Sequence, residues 1–226
     1  MKDITIRFKF FKELESKYLS HLDVLKIMSR AIARSNIKVS YSRGFNPKPR
    51  ISFSNPIPLG VNSLAEYCDI RLNEDIDSQE FLRILNSNLP SGIQVTEAAK
   101  SIKKIPTLMS EISQILFEFK IMHIRKNTVC EKLISKLDTA LKEYNQIYSS
   151  IYDYDIKIGD ENIIFLKIFG YAKIFGDKNN KIFKFNGFFG FLNQFLEKQS
   201  LKIESSHKKE VFFFKDGKLI TPLKVL

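Results

Sequence analysis

The sequence predicts an α+β fold of two tandem ferredoxin-like domains, each ordered β-α-β-β-α-β, with antiparallel sheets and helices on one face. Three observations carry that expectation. Polar–apolar alternation and three-to-four apolar spacing succeed one another in this order twice along the chain. Pro90, Gly92 and Pro106 punctuate its middle. A length of 226 residues, 44% of them hydrophobic, suits two small domains of about 100 residues with proper cores. The domains are expected at residues 1–105 and 106–226.

Each element has its own signal. Alternation marks strands at Ile4–Phe11, Ile37–Ser42, Arg50–Ser54, Glu66–Leu72 and Ile93–Ala98, and caps with helical spacing mark helices at Ser20–Ser35 and Asp77–Asn88. In the second half, a strand at Leu116–Met122 precedes a helix at Thr128–Ser149. Strands at Tyr154–Ile158 and Ile163–Gly170 turn at Gly159, and a helix at Asn186–Lys198 leads to a strand at Leu201–Phe214. Asp216-Gly217 is a hairpin turn signal. The segment SIKKIPTLMSEIS mixes charge with proline and reads as the boundary.

Composition narrows the function. The formal net charge is +11. Ser20–Arg50 holds seven basic residues against one acid, Asp23, whereas Ser101–Leu166 carries nine of each sign. Such clustering points to a polyanionic partner. Cys68 and Cys130 form no CxxC and no Cys/His cluster, so no metal site and no cofactor are expected. The opening MKDITIRFKFF alternates instead of offering the apolar run of a signal peptide, and no stretch of 18 apolar residues occurs. A cytoplasmic protein without membrane association is expected.

Ser20-His21-Leu22-Asp23 has the form of a helix start, with Ser20 as cap and Asp23 reciprocating in the first turn. At about 100° per residue, Asp23, Lys26, Arg30 and Arg34 share one face and Leu25, Met28 and Ile32 the other. Cations at four-residue spacing sit about 6 Å apart along the axis and can follow a phosphate backbone. The bland alternative is a solvated face. His21 falls on the apolar side, where it is either a structural residue or a general base taking a proton from a ribose hydroxyl.

The run from Tyr41 to Glu66 is rich in Pro and Gly, including Gly44, Pro47, Pro49, Pro58 and Gly60, and it alternates Arg43, Lys48 and Arg50 with Tyr41 and Phe45. Basic groups beside aromatics serve single-stranded nucleic acid, the rings stacking on bases while the cations hold phosphates. A β-ribbon whose rings belong to the core is the alternative.

The SHLD start and the block GFNPKP…PLGVNSLAE resemble the radical-SAM-linked family of bacterial proteins over roughly the first 100 residues. The resemblance covers Ser20, His21, Asp23, Arg30, Arg34, Ser42, Gly44, Phe45, Asn46, Pro47, Pro49, Pro58, Gly60, Ser63 and Glu66. It implies an accessory role near RNA beside a radical SAM protein. The chain has no CxxxCxxC and cannot itself hold that enzyme's iron–sulfur cluster. Three functions fit these residues. The leading one is an RNA-binding module, without catalysis of its own, that presents ribosomal or transfer RNA to a radical SAM enzyme. The second is a metal-independent endoribonuclease with His21 as base, by analogy with CRISPR RNA-processing enzymes. The third is a protein-interaction subunit that binds no nucleic acid.

Overall fold

A computed structural model describes residues 4–124, 131–160, 163–173 and 181–226. The fold is mixed α+β on a mostly antiparallel sheet. It divides into two compact units, Met1–Ile112 with Phe212–Leu226, and Ser113–Val211.

In the first unit the elements are β1 (Ile4–Lys12), α1 (His21–Arg34), β2 (Ile51–Phe53), β3 (Asn62–Leu72), α2 (Ser78–Asn86), β4 (Ile93–Ser101) and the single turn α3 (Leu108–Glu111). β1 lies between β4 and β3, antiparallel to both, and β2 pairs with β3. Alternation explains the two faces of β1. Ile4, Ile6, Phe8 and Phe10 enter the core, where Val24, Met28, Ala31 and Ile32 of α1 and Phe81 and Leu85 of α2 cover them. Each of the larger side chains, Ala31 excepted, contributes about 1.5–3 kcal/mol by leaving water. Thr5, Arg7 and Lys9 fall on the opposite face.

The second unit holds most of β5 (Ile112–His123), then α4 (Glu131–Tyr148), β6 (Ile151–Ile158), β7 (Ile164–Tyr171), α5 (Phe185–Glu197) and the greater part of β8 (Leu201–Lys215). Its strands run in the order β8-β5-β7-β6. Phe119, Tyr144, Phe185 and Phe188 form its aromatic core. The end of β8 turns through Asp216 and Gly217, both at positive φ, into β9 (Lys218–Ile220), as the Asp-Gly signal predicts.

Several expected elements differ. No strand forms at Ile37–Ser42. Val39 and Tyr41 make isolated bridges to Leu72 and Pro49, because the chain changes partner at Ser40, whose N–H donates to the Arg71 carbonyl and whose carbonyl accepts from the Arg50 N–H. β3 begins at Asn62, four residues before the expected Glu66. α3 occupies part of the expected boundary segment. The start of the helix expected at Thr128 and the residue Cys130 lie outside the described residues. No described helix is long and apolar enough to cross a membrane.

Candidate functional site

Ser20 starts α1 as the sequence predicts. Its hydroxyl accepts from the Asp23 N–H at 3.2 Å, and the Asp23 carboxylate accepts from the Ser20 N–H at 3.2 Å and from its hydroxyl at 2.6 Å. Those donors, the hydroxyl foremost, hold the Asp23 carboxyl below its ordinary range. Lys26, Arg30 and Arg34 are exposed along the helix. Arg34 also has a structural task, since its Nη2 donates to the Asn88 carbonyl at 2.7 Å at the end of α2. Leu25, expected in the core, is 37% exposed. It lies about 70° from the centre of the buried stripe, and Val24 takes the core position instead.

His21 does not face inward. It is the first residue of α1, beyond the well-covered part of the sheet, and it is exposed with its ring edge-on to Phe53 at 5.5 Å. With the buried Lys12 and Glu66 it lines a crevice of about 10 Å³, room for a single water. Lys12 arrives through a register shift. Phe10 pairs with Glu66 but Lys12 pairs with Ser63, so β3 carries the extra residue, Leu64 and Ala65 together standing opposite Phe11, and Lys12 Nζ donates to the Leu19 carbonyl at 3.1 Å. Nothing in the sequence singles out Lys12, which looks like any strand-end lysine.

Residues 40–50 form an arm. The Ser42 N–H donates to the Lys48 carbonyl at 2.8 Å, the Lys48 N–H to the Ser42 hydroxyl at 3.0 Å, and the Arg50 N–H to the Ser40 carbonyl at 2.8 Å. Gly44, at φ 127°, turns the tip where an L side chain would be strained. Tyr41, Arg43, Asn46, Pro47 and Lys48 are all exposed. Phe45 at the tip is wholly exposed, at 111%. The arm is tied to β3 at its base, where the Ser40 N–H donates to the Arg71 carbonyl and the Arg71 N–H to the Arg50 carbonyl. Farther on, Pro58 precedes a turn in which Gly60, at φ 82°, donates its N–H to the Lys17 carbonyl at 2.9 Å.

Arg7 and Asp69 form a buried ion pair that the sequence does not reveal. Arg7 Nε and Nη2 donate to the two Asp69 carboxylate oxygens at 2.7 and 2.9 Å. The remaining donors reach the carbonyls of Pro106 at 3.0 Å and Pro222 at 3.3 Å, and the guanidinium lies 5.5 Å from the centre of the Phe213 ring.

The structure thus gathers three groups: the α1 stripe, the His21 crevice and the arm. Among the described residues no three His, Cys, Asp or Glu side chains come together as a metal set. All three groups fall within one continuous match, over residues 5–156, to a family described as an uncharacterized protein conserved in bacteria. The chain belongs to this family, DUF2344. The DUF2344 match runs through the whole arm and into β6. No curated protein matches the chain. Among solved structures, the crystal structure of an unknown protein from Galdieria sulphuraria is similar at 10% identity, over 89% of this chain and 96% of that one, with a TM-score of 0.25. That likeness carries no argument.

Proposed function

We propose that the chain is an RNA-binding accessory module of the bacterial cytoplasm that presents ribosomal or transfer RNA to a partner radical SAM enzyme. Phe45 carries this reading. A phenylalanine ring left wholly in water forgoes about 1.5–3 kcal/mol of burial, and Arg43 and Lys48 flank it on an arm held by its own hydrogen bonds. A ring between cations is the arrangement that stacks on an unpaired base while holding its phosphates. Lys26, Arg30, Arg34 and Arg50 extend the cationic surface, and Tyr41 supplies a second ring. The radical SAM partner rests on the resemblance of the SHLD and GFNPKP motifs.

The same reading takes the fold as two ferredoxin-like domains. The path β4-β1-β3 with β2 on β3, and the order β8-β5-β7-β6, support it.

Fluorescence anisotropy with a single-stranded RNA tests the proposal. Phe45→Ala should weaken binding roughly 5- to 150-fold, the span of one lost stacking contact, with an unchanged melting temperature. Equal affinity of the variant and the parent protein would overturn the assignment.

The endoribonuclease reading draws on the grouping of His21 with Lys12 and Glu66. A crevice of about 10 Å³ has no room for a phosphodiester, which favours binding over cleavage. RNA left intact after incubation with the protein in EDTA would remove the nuclease; cleavage lost in His21→Ala would establish it.

A further inference from the structure

The strands of the first unit cover one face with α1 and α2 and turn Thr5, Arg7, Asp69 and Arg71 to the other. On that other face lies a cavity of about 420 Å³, bounded on one side by residues 104–107, within the size range of small-molecule sites. Arg50, Arg71 and Lys104 line it, together with Thr5, Ser52 and Asp69. Asp69 is the one carboxylate among the lining residues, and both of its oxygens accept from Arg7. The lining therefore carries two exposed cations, Arg50 and Lys104, beside Arg71 and a carboxylate that already accepts from Arg7.

A phosphodiester brings a single negative charge to such a site. A phosphate monoester brings about 1.5 to 2 at neutral pH, with three acceptor oxygens, and it matches several guanidinium and ammonium donors better. We infer that this cavity binds a phosphate monoester, either the phosphorylated end of an RNA strand or a free nucleotide. Arg50 joins the cavity to the arm, since it stands at the arm's base and accepts from the Arg71 N–H at 3.1 Å. A strand stacked on Phe45 can therefore continue toward the cavity with its end leading.

The inference deepens the RNA-binding reading, and its first test rests on that reading. RNA ten-mers with a 5′-phosphate, a 3′-phosphate or hydroxyls at both ends are compared by anisotropy. One phosphorylated ten-mer should bind at least about tenfold tighter than the hydroxyl-ended one. That gain should vanish in Lys104→Glu, an exposed position, and in Arg50→Gln, while both variants keep the parent melting temperature. The second test needs no RNA. Calorimetric titration should find AMP bound at least about tenfold tighter than adenosine, again with the difference lost in Lys104→Glu. Preference in either test, lost in the variants, supports the cavity and identifies its source of monoester. AMP binding without any RNA binding would remove the RNA reading and leave the cavity standing. Equal binding of all three ten-mers, with AMP no better than adenosine, would overturn the inference even if RNA itself binds.

Discussion

Replacing Arg7 by methionine leaves the Asp69 carboxylate buried without its counter-charge and withdraws donors from the Pro106 and Pro222 carbonyls. Breaking a buried pair in this way costs about 3–5 kcal/mol. Urea unfolding should report that loss, and adding Asp69→Leu should restore much of it, because the second change removes the stranded charge. The sequence conceals this pair for a physical reason. In Ile4–Lys12 the alternate residues Thr5, Arg7 and Lys9 read as a solvated face, and what covers Arg7 comes from segments around residues 106, 213 and 222. Tyr154 offers a spectroscopic test at the same scale. Burial and its hydrogen bond to Asp138, at 2.7 Å, push its pKa up to about 12. A raised phenol pKa means stability fully present below the ordinary value near 10 and lost as pH climbs toward 12. Of the eight tyrosines, one should titrate near pH 12 by absorbance at 295 nm, and Tyr154→Phe should remove that step. Cys68 lies deep in the core, and burial, then the Asp69 charge, push its thiol well above its ordinary range.

Among the elements, α1 was the most legible, because its cap, its first-turn acid and its apolar stripe are all local in sequence. Ser20→Ala removes the acceptor for the Asp23 N–H and a donor to the Asp23 carboxylate. It should lower stability by about 1 kcal/mol, read as a lower melting temperature, and Ser20→Asn should recover most of the loss. β3 was less legible. Its run Ala65–Ile70 is buried at every position, on both faces, so alternation fades and the strand start at Asn62 goes unseen. The arm lies between these cases. Its prolines and glycines mark a constrained connection, but strand-like alternation over Ile37–Ser42 predicts one ladder, whereas Ser40 divides its hydrogen bonds between Arg71 and Arg50. The exposure of His21 escapes the sequence for a related reason. Helical periodicity assigns an angle around α1, but exposure also depends on how far along the helix the sheet extends.

For the whole molecule the charge of +11 sets the salt response. RNA affinity should fall steeply as salt rises, and Arg43→Gln with Lys48→Gln should flatten the slope of log Kd against log salt by about 1.4, two phosphate contacts on a single strand. A slope identical to that of the parent protein would exclude the arm from phosphate contact. The composition carries that expectation, whereas the assignment of residues 212–226 to the first unit is not legible, since nothing local in Phe212–Leu226 names its distant partners. That placement bears on the order of biosynthesis. Arg7 is made early relative to its partners, and the Pro222 carbonyl that accepts from it follows 215 residues later. At about 5–20 residues per second, roughly ten to forty seconds separate the two. During that interval the nascent first unit holds a guanidinium whose full set of acceptors has not yet left the ribosome, so its last folding step must wait until Pro222 has emerged.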